Sequence, residues 1–529
     1  MMVPRHLQVS GALIPALLIV VMGTAHGQDQ GFQPLAGLDA YVEELMADWH
    51  VPGVAVGVVR TRDGDGEYLR SFGYRDLERA LPVTSKTVFG IGSCAKAFTA
   101  AAVAILVSDG ALGWNTPLVD SLPRFRLYDD YSTRHATAMD LLLHRTGLAG
   151  YNMLKEVAVF DREGLWDKVR QLQPSYACPV CGRFRYQMRY SNLSYQIAGR
   201  VVEEASGESY EAFVRRRILE PTGMENTTLS YARARELGEL AKPYLNFGSS
   251  SEFGGPFPSP AFTNQDTSYE GLIAPSGGVY SSLEDMVRWV RLHLDRGELG
   301  DRRVISEEAM RLMHTPLMGI RYYPDDPEEA YLSYGMGWYV QDYRGHYMVQ
   351  HEGQVFGYMA MVSFLPFEGI GVVVLTNSYY HQVASIVSKN IYDRLLALDA
   401  EERSAGILEG YRAAAKGMHE QIFGIWRRRP ENAPATHSIE AYTGEFRNPL
   451  YGSIVIREVG GELQVVFKER FAVELRHFSY DTFATVSDLF DYNSLFFRFQ
   501  LGADGKVDGV RVPLDGLDED VLFRIVPGA

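Results

Sequence analysis

Cysteine is almost missing from this sequence: three occur in 529 residues, at positions 94, 178 and 181. Cys178-Pro179-Val180-Cys181 has no second Cys pair to complete it. That excludes a structural zinc site, which needs about four ligands. A thioredoxin-like redox centre would need a βαβ setting, and the surrounding pattern has none. Basic residues are outnumbered, 51 Lys and Arg against 66 Asp and Glu, for a formal net charge of −15. That argues against nucleic acid as a partner, because phosphate binding needs clustered Lys and Arg. Beyond the N-terminal segment no apolar run approaches the roughly 20 residues of a bilayer span. Also missing are a Gly-x-Ser-x-Gly elbow, a phosphate-binding Gly-Lys-Ser/Thr loop and a zincin pair; His351-Glu352 is followed by Val355 where a zincin has its second His. Metal and nucleotide enzymes find no support, and no cofactor is expected.

What is present is an ordinary folded composition, 46% hydrophobic and 22% charged. The length exceeds one core, since single domains mostly stop growing near ~250–300 residues. One large domain and one smaller one are expected. Arg5 and His6 precede an apolar run from Leu13 to Met22, followed by Thr24-Ala25-His26-Gly27-Gln28. This reads as a signal peptide, residues 1–27, cleaved after Gly27. The alternative, an uncleaved anchor, would want a longer run. The expectation is an exported protein, periplasmic or secreted. In that setting Cys178 and Cys181 read as a local disulfide.

Hydrophobic periodicity then divides the rest. A helix runs from Leu38 to Trp49, and strands from Val54 to Val59 and Tyr68 to Tyr74 are joined by Asp63-Gly64-Asp65-Gly66. Ser93 opens an Ala-rich helix ending near Asp109-Gly110. Helices are also expected over Thr137 to His144, Glu208 to Ile218, Ser282 to Leu294 and Val383 to Leu398, and strands over Met359 to Phe364 and Gly371 to Leu375. Strands at both ends with helices between imply an α+β domain, residues 28–400. One antiparallel sheet is built from both ends and faces a helical lobe, with the active site in the cleft. A helical linker over 401–436 leads to residues 437–529, where short strands separated by Gly460-Gly461, Asp504-Gly505 and Pro513 imply a small β-barrel or sandwich.

The sharpest chemical signal is Ser93-Cys94-Ala95-Lys96. Ser and Lys three apart share a helix face. A Ser hydroxyl is a poor nucleophile until a base takes its proton, and a neutral Lys amine can do so where burial lowers its pKa. Taken alone, the pair also fits an N-cap serine and a solvated lysine. Two further signals follow: Tyr190-Ser191-Asn192 ahead of an apolar helical run, and His351-Glu352-Gly353 ahead of the Met359 strand. Tyr190 and Asn192 also fit a capped helix start. His351 also fits a core histidine, and Cys94 a small buried residue.

Ser-x-x-Lys, Tyr-x-Asn and His-x-Gly in this order resemble the penicillin-recognising serine hydrolases: class C β-lactamases, penicillin-binding carboxypeptidases, serine esterases and D-aminopeptidases. Val51-Pro52-Gly53, Leu142-Leu143-His144-Arg145-Thr146-Gly147-Leu148 and Ala274-Pro275-Ser276-Gly277-Gly278 also look like family segments, and the likeness runs from Leu35 to Asn377. The resemblance implies a β-lactamase/transpeptidase-like α/β (α+β) fold. It implies Ser93 as the acylated nucleophile and Lys96 sharing proton transfer with Tyr190, the phenol acting as base if adjacent cations lower its pKa. Asn192 would bind substrate or hold Lys96, and the N–H groups of Ser93 and Gln354 would form the oxyanion hole. The Gly277-Gly278 pair would permit a tight turn, and His144 would pack beside the site floor.

β-Lactamases carry Lys where this sequence has His351. His-x-Gly through Gly353 resembles D-aminopeptidases and related esterases instead, and a mostly neutral imidazole is a weaker carboxylate anchor. The C-terminal domain resembles the lipocalin-like barrel appended to some D-aminopeptidases. The implied activity is amide or peptide hydrolysis on a small-molecule or peptide substrate, with D-amino acid peptides as one class. Alternatives are a carboxylesterase with the same residues, a β-lactamase or D,D-carboxypeptidase, and a catalytically inactive binding protein.

Overall fold

A computed structural model describes residues 30–529 apart from 63–64, 149–163, 170, 173–183, 246–256, 259–269, 321–330, 356, 380, 400–403, 468–470, 486–494, 515–519 and 527–529. The expected signal segment and the Cys178–Cys181 pair lie outside the described residues. The large domain is built on nine antiparallel strands: β1 (Gly53–Arg60), β2 (Gly66–Asp76), β3 (Leu81–Pro82), β4 (Met318–Gly319), β5 (Leu332–Tyr334), β6 (Tyr339–Tyr343), β7 (His346–Val355), β8 (Tyr358–Leu365) and β9 (Ile370–Thr376). Across the sheet they run β4-β5-β6-β7-β8-β9-β1-β2-β3. The two ends of the domain meet at its centre, where Val54 of β1 pairs with Thr376 of β9 and with Phe72 of β2.

β1 reads as a nearly unbroken apolar run because both of its faces are covered. Ala55 and Val59 enter one core, shared with the helical lobe, while Val54, Val56 and Val58 enter a second core with the helix Leu38–Asp48 and α4 (Val383–Leu395). Successive strand residues point to opposite faces, so a two-sided strand has no polar positions. Each fully buried valine contributes roughly 1.5–3 kcal/mol.

Between the strands lie α1 (Lys96–Ser108), α2 (Asn192–Ser206) and α3 (Leu283–Leu294). Every residue of α1 from Lys96 to Leu106 is buried. Its alanines let neighbours approach on all sides, and Phe98 stacks on Trp289 of α3 at 4.1 Å. α2 stops at Gly207, whose φ of 74° is the left-handed cap that glycine adopts without penalty.

A helix, Ser404–Arg427, leads to a closed barrel of eight strands between Gly444 and Ile525. Its strands alternate, as in Glu462–Phe467, where Leu463, Val465 and Phe467 are buried. The interior is filled by Phe446, Phe467, Phe483, Phe497, Phe499 and Phe523 among others. Lys168 Nζ on the helical lobe donates to the Pro449 carbonyl in the barrel's first hairpin turn (2.6 Å). Among the described residues no helix is long and apolar enough to cross a membrane.

Three expectations shift. Ser93 does not open the α-helix; it sits in the preceding 3-10 turn, Gly92–Ala95. Thr137 to His144 holds one short helix, Ala138–Leu142, begun by a capping box between Thr137 and Asp140. The sequence from Leu332 to Val355 supplies three strands that periodicity did not reveal, because polar residues such as His346, Gln350, Glu352 and Gln354 interrupt it.

Candidate active site

From Thr87 to Leu106 every residue is buried except Ser93. The exception is geometrical. Gly92 has a φ of 50°, which turns the chain so that residue 93 faces outward. Strand β7 closes against this turn from the other side. A Cβ on Gly92 would sit 2.4 Å from the Gln354 nitrogen, and one on Gly353 would sit 1.8 Å from the Ile91 carbonyl oxygen. Neither distance is compatible with a side chain, so the two glycines bring the Gln354 amide beside the Ser93 turn. A backbone N–H there, together with that of Ser93 at the helix N-terminus, makes an oxyanion hole sterically accessible.

Lys96 lies one helical turn below, fully buried. Its Nζ is 2.9 Å from Ser93 Oγ, 2.8 Å from Asn192 Oδ1 and 2.6 Å from the Ser276 carbonyl oxygen. Three elements meet at this nitrogen: α1, the first residue of α2 and the turn after Pro275. In that turn the N–H groups of Ser276, Gly277 and Gly278 all donate to the Ile273 carbonyl, and Thr99 Oγ1 donates to the Pro275 carbonyl (2.7 Å). An ammonium donates to all three acceptors. A neutral amine donates to the amide and the carbonyl and turns its lone pair to Ser93 Oγ. The same cradle therefore serves both protonation states.

Tyr190 stands over Lys96, its ring centroid 4.8 Å from Nζ. Burial holds its phenol well above the usual range, against a hydrogen bond with Ser93 that lowers it. The resting group is thus the neutral phenol; the expected cation-driven lowering does not dominate. The chain on both sides of Tyr190 is tied to one residue. The Arg189 N–H donates to the His144 carbonyl (2.7 Å), and the Ser191 N–H donates to His144 Nδ1 (3.0 Å). Farther upstream, Arg185 and Arg145 flank buried Asp140 at 2.7 and 2.6 Å. Burial opposes the Asp140 charge, but these guanidiniums and the Thr137 N–H still hold its pKa below the usual carboxylate value.

His351 is buried, and both of its nitrogens are engaged. Nδ1 lies 2.6 Å from the Glu352 carbonyl, which can only accept, so Nδ1 carries the proton. Nε2 then accepts from the Tyr334 hydroxyl (3.0 Å). Burial, reinforced by the Lys96 charge, pushes its pKa down to about 3. His351 therefore presents no cation to a ligand; it orients Tyr334 and, through its carbonyl, accepts from the Cys94 thiol (3.2 Å). Burial pushes that thiol's pKa up, so Cys94 is a packed neutral residue.

The structure brings Ser93, Lys96, Tyr190, Asn192, Gly353 and Gln354 to one place, with His351 behind them. Sequence reasoning missed the Ser276 carbonyl as an acceptor for Lys96 and Tyr334 as the partner of His351. It read His144 as packing alone. The Ala274-Pro275-Ser276-Gly277-Gly278 segment was the available signal for the first; a backbone acceptor has no signature of its own. Among the described residues no cluster of His, Cys, Asp and Glu could hold a metal ion.

Residues 38–393 match the family model described as Beta-lactamase, and residues 428–524 match a domain of unknown function (DUF3471). The chain is 28% identical over 443 residues to the unguisins hydrolase ungD' of Aspergillus campestris, covering 78% of this chain and 76% of that one. It is similar in fold to the octameric penicillin-binding protein homologue from Pyrococcus abyssi (TM-score 0.59, 21% identity, 93% of this chain and 100% of that one). It is also similar to the D-amino acid amidase of Ochrobactrum anthropi SV3 (TM-score 0.53, 21% identity, 68% and 97%).

Proposed function

The chain belongs to the β-lactamase-fold family of serine hydrolases, and on that premise we propose that it hydrolyses an amide or peptide bond through an acyl-enzyme on Ser93, with D-amino acid peptides as the substrate class. The observation that carries this is the triple contact of Lys96 with Ser93, Asn192 and the Ser276 carbonyl, beneath the one residue from Thr87 to Leu106 that is not buried.

Ser93 Oγ attacks the substrate carbonyl as its proton passes to neutral Lys96. The resulting oxyanion lies against the N–H groups of Ser93 and Gln354. Collapse breaks the C–N bond, and the departing amine takes a proton from the Tyr190–Lys96 pair. Water then attacks the ester with the same groups in reverse order. An amide nitrogen leaves poorly unless protonated. The Tyr190 phenol, kept protonated by burial and bonded to Ser93, is placed to supply that proton. The neutral, fully engaged His351 argues against a substrate carboxylate as the main anchor, and so against D,D-carboxypeptidase or β-lactamase activity as the main role. The unguisins hydrolase relative supports hydrolysis as the chemistry. The basic-then-apolar N-terminal segment supports placing the activity outside the cytoplasm.

Turnover of a D-alanyl p-nitroanilide against p-nitrophenyl butyrate, with Ser93→Ala as blank, tests this. The anilide is expected to be cleaved, with kcat falling about 10⁴-fold or more in the variant. Cleavage of the ester alone would favour the carboxylesterase, and a variant as active as the parent would remove Ser93 as nucleophile.

A further inference from the structure

His144 lies in the Leu142-Leu143-His144-Arg145 segment, on no regular element, with a φ of 53°. A non-glycine residue in the left-handed region is uncommon, and such residues persist where the surroundings hold them. The side chain is fully buried. Its ring centroid lies 4.4 Å from that of Tyr190 and 5.0 Å from those of Tyr195 and Tyr334. The imidazole is neutral: burial, then the Lys96 charge, depress its pKa well below the usual range. Nδ1 accepts the Ser191 N–H, which places the remaining proton on Nε2. That nitrogen is buried without a hydrogen-bond partner, among aromatic rings. Leucine or phenylalanine would fill such a space without stranding a polar atom, and burying one unpaired is unfavourable. The nitrogen that does work is Nδ1, and its work is to hold the residue after Tyr190 while the carbonyl of the same residue holds Arg189, the residue before it.

We propose that His144 is a positioning residue: a neutral acceptor that brackets Tyr190 through Ser191 and Arg189 and sets the phenol at bonding distance from Ser93. This rests on the reading of Tyr190 as a proton-transfer group. A residue acting this way changes the rate through Tyr190 alone. It leaves substrate binding alone and has no effect once the phenol is gone. A shift of about 1 Å in a reacting group is enough for roughly 100-fold in rate.

The test is a pair of variants and a cycle, using the full chain and the ester or anilide that the parent turns over. His144→Asn keeps an acceptor near the Nδ1 position and tolerates positive φ. His144→Gln moves the amide toward the Nε2 position and removes that acceptor. Rates are expressed per folded molecule, from the amplitude of the thermal transition. The expected result is kcat within about tenfold of the parent for His144→Asn, a fall of about 100-fold for His144→Gln with KM within about threefold, and no further fall for His144→Gln in a Tyr190→Phe background. Equal losses in the two variants, or a loss that persists undiminished in the Tyr190→Phe background, would overturn it. So would a His144→Gln enzyme as fast as the parent. If His144→Gln does not fold, His144→Asn decides: a loss of no more than about tenfold that vanishes in the Tyr190→Phe background supports the role, and a larger loss, or one that persists in that background, removes it. A Tyr190→Phe enzyme as fast as the parent would instead refute the role given to Tyr190, which separates the two failures.

Discussion

The turn glycines of the barrel and the two glycines at the Ser93 turn serve different ends, and buried polar groups differ between the same two regions. In the barrel the turn glycines Gly452, Gly460, Gly461 and Gly505 have positive φ and open space where a Cβ would be. They punctuate hairpins and nothing presses on them. In the large domain Gly92 and Gly353 are placed where another backbone already stands. Buried polar groups divide the same way. Among the described residues the large domain buries Lys96, Asp140, His144, Asp285, His293, His351, His381 and Asp393, whereas the barrel buries Thr485. Burying a polar group is unfavourable unless it is paired, so each such residue of the large domain is held by partners, as Lys96, Asp140 and His351 are.

The sharpest way to break this comparison is Gly353→Ala against Gly461→Ala. The first methyl would collide with the Ile91 carbonyl and push β7 away from the Ser93 turn. Loss of an oxyanion donor lowers kcat by about 10²–10³-fold, and steady-state kinetics on the preferred substrate reads it. A Gly353→Ala enzyme with unchanged kcat would mean that the Gln354 amide does not touch the reacting oxygen.

Acid separates the regions next. Burial depresses the pKa of His144 and His293 well below that of free imidazole and brings His314, His351 and His381 to about 3. Unfolded, each titrates near ~6.5. Below that value the unfolded chain binds protons that the folded domain refuses. The stability is therefore complete above about pH 6.5 and is lost progressively toward pH 3, by up to about 1.4 kcal/mol per pH unit for each histidine. The barrel's His437 and His477 are not buried. Its half-buried Asp481 is opposed by burial but held below the usual carboxylate range by Thr436 and Tyr442, so that contribution survives until pH falls below about 4. Five of the six tryptophans lie in the large domain; the sixth, Trp426 of the linking helix, packs on Phe478 of the barrel (5.6 Å), so a Trp426→Phe parent is used. Tryptophan fluorescence should thus show a melting temperature that falls between pH 7 and pH 4, while the barrel's share of the far-ultraviolet signal melts at an unchanged temperature. Coincident transitions that shift together would join the two regions into one cooperative unit.

The smallest effect belongs to Gly461→Ala. Its φ of 91° disfavours an L side chain, at a cost of roughly 1 kcal/mol, and the site is far from any contact. Activity should be unchanged and the barrel transition lowered by a few degrees.

How much of this was legible beforehand follows from where the information lies. Ser93 and Lys96 are three residues apart, and Tyr190 and Asn192 two, so their pairing is written locally; short apolar runs likewise exposed β1, β8 and β9, and regularly spaced turn residues the short strands of the barrel. The employment of His351 was not legible. Its partner Tyr334 lies across three strands whose polar residues hid them, and only the pairing of β5, β6 and β7 brings that hydroxyl to the ring. Whether cations lower the Tyr190 phenol was left conditional for a similar reason: its neighbours could be guessed, but the burial that raises it depends on the whole lobe. The Ser276 acceptor is a carbonyl, which every residue has.

The central pairing of β1 with β9 also sets the order in which the chain can mature. Val54 must wait for Thr376. At about 5–20 residues per second of synthesis, that delay is on the order of tens of seconds. Through it the hairpin of β1 and β2 offers a bare, apolar edge with no partner yet made, which is the condition under which chains aggregate. The barrel closes on itself, Phe446 against Ile525, as soon as its last strand is present. The catalytic half of the molecule is thus slow to complete and exposed to misassembly, and its need for a holding chaperone should exceed that of the domain that follows it.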